Sequence, residues 1–157
     1  VKYNPKEEIT NLCKLFETKL ADKGLDLDTD ISTPDYLIGD VDKIKRILAN
    51  LLDNAIKYTE IGYITLIVSS IVKGNLCELT IMVKDTGVGM DPYVLDHLFE
   101  NFVRSEENKN SDKSGMGLGL AITKKLVDQL GGTIHCESKV NEGTTFEVKL
   151  EQKVASE

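Results

Sequence analysis

Between Tyr63 and Lys84 the chain reads as two runs, the first rich in β-branched residues, broken by Lys73-Gly74-Asn75. The second run alternates, with Leu79, Ile81 and Val83 pointing one way. Period-two patterning on either side of a glycine turn specifies an antiparallel hairpin with one buried face. A lone hairpin is marginal in water and needs an apolar layer laid over it. The flanking segments supply helices of the right kind.

Residues 4–22 carry the marks of a helix. Asn4 can cap it, Pro5 suits its first position, and Glu7 and Glu8 favour its positive end. Ile9, Leu12, Cys13, Phe16 and Leu20 form its stripe, and Gly24 stops it. Leu25, Leu27 and Ile31 then alternate with Asp26, Asp28 and Asp30, as in a half-buried strand. Pro34 breaks that run, and Tyr36 to Ile38 reads as a short strand. Asp40 caps a second helix reaching Tyr58, with Ile44, Ile47, Leu48, Leu51, Leu52 and Ala55 on its apolar face.

After Asp85 come a Gly-x-Gly, a short helix over about Tyr93 to Phe99, and a polar stretch, Ser105 to Ser114. That stretch has no core-forming pattern and is expected to be mobile. A third helix carries Leu118, Ala121, Ile122, Leu126, Val127 and Leu130, and Gly131-Gly132 ends it. Thr133–Glu137 and Thr145–Leu150 read as two strands joined at Asn141-Glu142-Gly143, and the polar tail from Glu151 is expected to fray. Helices and antiparallel hairpins are interspersed, with no evident chain of parallel βαβ units. The pattern predicts a two-layer α/β sandwich: a mixed sheet covered on one face by three helices.

A length of 157 residues fits one domain, and 41% hydrophobic with 29% charged residues is a globular composition. The net charge of −7 argues against a nucleic-acid or acidic-membrane surface. No apolar run approaches the roughly 18 residues of a membrane span, and the first residues do not resemble a signal peptide. Cys13, Cys77 and Cys136 lack metal-ligand spacing and read as buried, reduced thiols; His97 and His135 stand far apart and define no metal site.

Four places hold polar or glycine residues where a plain core would not. On the second helix Asn50, Asn54, Lys57 and Tyr58 lie within about a quarter-turn of one another, at the rim of the apolar stripe. Asparagine is a poor mid-helix residue, so two on one face suggest a task. An amide oxygen suits Mg²⁺, Lys57 can meet a phosphate, and Tyr58 offers a face to a base, although a merely solvated helix side has the same composition. In Asp85-Thr86-Gly87-Val88-Gly89-Met90 a carboxylate at a strand end precedes two glycines. An ionised carboxylate only accepts, which suits the adenine amino group and repels the guanine carbonyl; a tight turn is the plainer alternative. In Leu98-Phe99-Glu100-Asn101-Phe102-Val103-Arg104 two aromatics are spaced to pack and leave Arg104 free. Last, Gly115-Met116-Gly117-Leu118-Gly119-Leu120 runs into the third helix, whose start offers N–H groups to a phosphate chain. A P-loop would need Gly-Lys-Ser/Thr here, and a dinucleotide fingerprint would need Gly at Leu120.

The order "ILANLLDNAIKYT", "DTGVGM", "LFENFVR", "GMGLGLAI" resembles the N, G1, F and G2 boxes of the ATP-binding catalytic domain of sensor histidine kinases. These belong to the wider gyrase/Hsp90/histidine-kinase/MutL, or Bergerat-fold, group. The similarity runs from about residue 3 to 150. It implies a catalytic domain over residues 1–151, with an ATP lid at about 101–114 and a polar tail at 152–157.

The resemblance also implies roles. Asn54 would be the Mg²⁺ ligand and Asn50 its neighbour near the transferred phosphate. Lys57 would hold phosphate and Tyr58 would lie against the nucleotide. Asp85 would take the adenine amino group, with Gly87, Gly89 and Met90 lining the base. Arg104 would reach the γ-phosphate, and Lys113 is a weaker phosphate candidate. Gly115, Met116, Gly117, Leu118 and Gly119 would wrap the phosphates, and Thr144 would support Asp85. Met90-Asp91 stands where Ile-Pro is more usual.

Hydrolysing members of the group resemble one another in a Glu four residues before the metal Asn; here that place is Asn50, which cannot serve as a base for water. Such a site suits transfer of the γ-phosphoryl to another nucleophile. Neither His97 nor His135 stands in a phosphoacceptor pattern. The expectation is therefore a catalytic fragment whose acceptor His lies on a separate dimerisation domain, with a response regulator downstream and this domain in the cytoplasm of a sensor that is often membrane-bound. The alternatives are a phosphotransfer-inactive nucleotide-binding module and an anti-sigma-type serine kinase of the same fold.

Overall fold

The computed structural model describes residues 1–99 and 116–155, with side chains in the second stretch from residue 119. In chain order its elements are β1 (Lys2–Tyr3), α1 (Pro5–Lys14), α2 (Glu17–Lys23), β2 (Asp26–Ile31), β3 (Leu37–Ile38) and α3 (Val41–Tyr58). Then come β4 (Tyr63–Lys73), β5 (Leu76–Asp85), α4 (Pro92–Asp96), α5 (Met116–Gln129), β6 (Thr133–Lys139) and β7 (Gly143–Val154).

The strands form one mixed sheet in the order β1-β3-β7-β5-β4-β2, with β6 also pairing with β7. All pairs are antiparallel except β2 with β4, which run parallel. This parallel pair was not evident from the sequence. Alternate residues of the central strands face inward: Ile64, Leu66 and Val68 on β4, Leu79, Ile81 and Val83 on β5, and Phe146, Val148 and Leu150 on β7 are buried. The opposite face is mixed, with Thr65, Ser69, Glu78 and Lys84 beside Tyr63 and Ile71, which are more than half exposed; among the described residues the helices pack against the inner face. The two-layer sandwich is thus the observed architecture, with α1–α2, α3 and α5 in the helical layer.

Helix α3 is the centre of that layer. Asp40 caps it by accepting the Lys43 N–H at 3.1 Å. Ile47, Leu48, Leu51 and Leu52 are almost completely buried. At roughly 2 kcal/mol for each large aliphatic side chain, this stripe holds α3 against the sheet. Among the described residues no helix is long and apolar enough to cross a membrane.

Three local expectations need correction. The helix expected over residues 4–22 is two helices. The N–H groups of Leu15 and Phe16 bond to the carbonyls of Leu12 and Cys13, each at 3.0 Å, which tightens the chain into a turn. The break leaves Leu15 75% exposed, while Phe16 and Leu20 remain buried. Gly24 then closes α2 in the left-handed conformation at φ 68°, and Leu25 enters the core.

The final strand does not end at Leu150, and the chain does not fray from Glu151. It continues to Val154, where Leu37 and Ile38 pair with Val154 and Lys153. Gln152 takes an inward position because its polar atoms are matched: Tyr3 Oη donates to its Oε1 at 3.0 Å, and its Nε2 donates to the Glu151 carbonyl at 2.8 Å. Burial pushes the Tyr3 hydroxyl pKa above its ordinary value. All three cysteines are free; Cys77 is buried, whereas Cys13 and Cys136 are half-buried.

Candidate functional site

Strand β5 delivers Asp85 at the end of its inward-facing row, after Ile81 and Val83. Asp85 is 9% exposed. Its Oδ1 accepts two backbone N–H groups, from Gly87 at 2.9 Å and from Thr144 at 3.2 Å. Its Oδ2 takes no hydrogen bond from a described residue. Burial raises the Asp85 pKa, and the two N–H bonds oppose that shift without cancelling it. The result is an oriented acceptor with one oxygen left for a ligand.

The loop after Asp85 is pinned on two sides. Towards α3, Val88 N donates to the Tyr58 carbonyl at 3.1 Å. A Cβ at Gly87 would lie 2.3 Å from that same carbonyl oxygen. Towards the β6–β7 hairpin, Asn141 N donates to the Val88 carbonyl at 2.7 Å, and Met90 N donates to Ser138 Oγ at 2.9 Å. Gly89 adopts φ 72°, and a Cβ there would come within 1.9 Å of the Lys139 carbonyl oxygen. Only glycine permits that approach. Beyond the loop, Asp91 caps α4 by accepting the Val94 N–H at 2.9 Å, with Pro92 at the first helical position.

Helix α3 links this corner to α5. Its last turn carries Tyr58, which is 7% exposed and whose carbonyl holds Val88. One turn earlier, Asn54 Nδ2 is buried with no hydrogen-bond partner among the described residues. A further turn back, Asn50 Nδ2 donates to Thr123 Oγ1 on α5 at 3.2 Å, and Thr123 Oγ1 donates to the Gly119 carbonyl at 2.9 Å. The two asparagines therefore differ: Asn50 ties α3 to the glycine-containing start of α5, whereas the Asn54 amide nitrogen has no partner among the described residues. Lys57 is exposed at the same rim.

Helix α5 begins at Met116, so Gly117 and Gly119 lie within its first turns and not in a loop ahead of it. A Cβ at Gly119 would meet nothing within 4 Å. Arg104, Lys113 and Gly115, and the expected lid at 101–114, lie outside the described residues, as do the side chains of Met116 and Leu118. His97 follows α4 with its ring 4.8 Å from that of Tyr93, and His135 lies 3.5 Å from Glu137. Among the described residues no cluster of three or more His, Cys, Asp or Glu could hold a metal.

Four residues of this region were not singled out from the sequence: Thr59, Thr123, Ser138 and Gly143. Thr59 is fully buried beside Gly87, and its hydroxyl has no partner among the described residues. Thr123 is fully buried on α5, and Ser138 faces inward on β6. A Cβ at Gly143 would lie 2.1 Å from the Asp85 carbonyl oxygen. The available signal was a short polar residue or glycine at the apolar phase of each element.

Residues 39–154 match the family described as histidine kinase-, DNA gyrase B- and HSP90-like ATPase. The chain is 38% identical over 128 residues to the signal transduction histidine-protein kinase BarA of Escherichia coli K12, an alignment covering 80% of this chain. It spans only 14% of the length of that relative. Among solved structures, full-length ShkA in complex with AMPPNP superposes with a TM-score of 0.81 at 25% identity, covering 100% of this chain and 32% of that one. The mycobacterial sensor histidine kinase MprB gives 0.75 at 25% identity, with 99% of each chain covered.

Proposed function

The chain belongs to the histidine kinase-, DNA gyrase B- and HSP90-like ATPase family, as an ATP-binding catalytic domain of the sensor histidine kinase type, and on that premise we propose that it holds Mg-ATP and donates the γ-phosphoryl group to a histidine on a separate dimerisation domain. In that transfer the bond between the γ-phosphorus and the bridging oxygen breaks. A phosphorus–nitrogen bond forms on the imidazole, ADP leaves, and the imidazole N–H proton is released.

The observation that carries this reading is the arrangement of Asp85. Its Oδ1 is occupied by two backbone N–H groups, so Oδ2 is presented in a fixed direction as an acceptor. The adenine amino group satisfies it, and the guanine carbonyl does not. Gly87 and Met90 line the base, Tyr58 lies against the nucleotide, and Thr144 keeps the carboxylate in place.

At the α3 rim the residues suit a magnesium-bound triphosphate. The Asn54 amide nitrogen is buried and unmatched among the described residues. The amide oxygen would ligate the metal while the N–H₂ group meets a phosphate oxygen. When bound, Mg²⁺ supplies charge neutralisation across the phosphates. Lys57 and Arg104 add positive charge at the β- and γ-phosphates, with Lys113 a lesser contributor. The start of α5, from Met116 through Gly119, offers N–H groups to the phosphate chain, with Gly115 just ahead of it in sequence. Asn50 keeps α5 in register through Thr123 and offers its oxygen towards the transferred group. An amide there cannot deprotonate water, so the site favours transfer over hydrolysis.

The parent chain, by this reading, is a two-component sensor that passes phosphate to a response regulator, with this domain on the cytoplasmic side. The test mixes the chain with labelled ATP and a separately purified domain bearing the acceptor His. Acid-labile label on that His is expected. Nucleotide binding without transfer would favour a binding module, and acid-stable phosphoserine on a partner would favour a serine kinase.

A further inference from the structure

Ser138 is the meeting point of three hydrogen bonds. Its Oγ lies 2.9 Å from Met90 N, 3.0 Å from the Gly143 carbonyl oxygen and 2.9 Å from Thr144 Oγ1. The protons around this atom can be counted. Met90 N–H can only donate, and the Gly143 carbonyl can only accept. The bond to Gly143 therefore uses the single hydroxyl proton of Ser138. In the remaining pair Thr144 must donate and Ser138 must accept.

This fixes the polarity of Thr144. With its proton directed at Ser138, Thr144 Oγ1 presents only lone pairs to anything else. Its backbone N–H is also committed, to Asp85 Oδ1. Asp85, Ser138 and Thr144 line one cavity of about 500 Å³, together with Leu95 and Cys136. Asp85 and Thr144 are register partners on neighbouring strands, so two acceptor side chains line this cavity with no donor from either, while Lys84 and Lys139 also border it.

We propose that Ser138 is a positioning residue for base choice: by holding the Thr144 proton it makes Thr144 a pure acceptor and so adds to the exclusion of guanine. The proposal rests on the adenine-nucleotide reading of the site. Adenine offers an amino group with two donors, which suits two acceptors, whereas guanine offers a carbonyl in the same place. If Ser138 loses its hydroxyl, Thr144 can turn its proton outward and donate to that carbonyl. The carboxylate still disfavours guanine, so selectivity shrinks without inverting.

The experiment measures dissociation constants for ATP and GTP, with magnesium, on four variants: Ser138→Ala, Ser138→Thr, Thr144→Val and the double Ser138→Ala/Thr144→Val. In Ser138→Ala the GTP-to-ATP ratio is expected to fall roughly tenfold, the size of one mismatched hydrogen bond. Ser138→Thr restores a hydroxyl and keeps the wild-type ratio. In the Thr144→Val background, Ser138→Ala leaves the ratio unchanged, because there is no Thr144 proton to redirect. A merely structural role predicts equal weakening towards both nucleotides in Ser138→Ala, and that result overturns the proposal. So does a ratio that changes in Ser138→Thr, or that still responds to Ser138→Ala without the Thr144 hydroxyl. If the wild type binds no ATP, the nucleotide reading fails and takes this proposal with it; wild-type ATP binding with an unmoved ratio removes this proposal alone.

Discussion

The corner around Asp85 and the rim of α3 are built on opposite principles. At the corner the loop is held by Tyr58, Ser138 and Asn141, and Asp85 itself is bonded to Gly87 and Thr144. Its backbone cannot move without breaking several bonds. At the rim, Asn54 carries a buried amide nitrogen with no partner among the described residues, and Lys57 is exposed. A rigid acceptor set discriminates, because a wrong base leaves polar groups unmatched. A set of unclaimed polar groups accommodates charge that arrives with the ligand. On the proposed reading, recognition and transfer fall to different parts of one site, joined by a single helix.

Removing the acceptor is the most severe way to break that contrast. Asp85→Ala is expected to weaken ATP by about a hundredfold, the worth of a hydrogen bond to a charged group near the top of its range. Circular dichroism should show the fold retained; unchanged ATP affinity would make Asp85 structural. Next in size is the close approach at the corner. Gly89→Ala forces a Cβ to within 1.9 Å of the Lys139 carbonyl oxygen at a positive φ. A loss of about 2–3 kcal/mol, or roughly 5–10 °C in Tm, is expected in thermal denaturation. A variant as stable as the wild type would show that the hairpin does not clamp the loop.

At the rim, Asn54→Ala is expected to weaken Mg-ATP by about tenfold and to leave metal-free adenosine nearly unchanged. Equal losses would erase the distinction between the two regions. Acid titration sharpens it further. Burial holds the folded-state pKa of Asp85 above its ordinary value. The sign follows from linkage: this group's stabilising contribution is full below its unfolded pKa and lost as pH rises through the folded one. Asp85→Asn should therefore gain stability relative to the wild type at neutral pH, and lose that advantage in acid. On the proposed reading adenine binding needs the ionised acceptor, so ATP affinity should fall in acid at a higher pH than for an ordinary aspartate. Denaturation and binding measured across pH check both trends. The smallest effect is at Asn50: Asn50→Ala removes the bond to Thr123 and should cost about 1 kcal/mol in denaturant unfolding.

The same contrast explains what could be read from the sequence. Helix α3 was legible from end to end because its stripe and its Asp40 cap are local signals. Asp85 and its glycines were legible because a carboxylate at a strand end followed by Gly-x-Gly is a contiguous pattern. The break at Leu15 was hidden, since Phe16 and Leu20 continue the apolar stripe across it. The last residues of β7 were hidden because Gln152 looks like a surface residue until Tyr3, from the opposite end of the chain, is placed beside it. Ser138 was hidden for the same reason: its partners Met90 and Thr144 come from two other segments. Local periodicity specifies elements, whereas buried polar atoms are explained only by tertiary partners.

The central claim is that Asp85 holds an adenine base in a site shaped for a magnesium-bound triphosphate. Titration calorimetry of the wild-type chain with ATP and then GTP, magnesium present, tests it most directly. Saturable heat with ATP and at least tenfold weaker binding of GTP is the expected result; equal affinity for the two, or no binding of either, would contradict it.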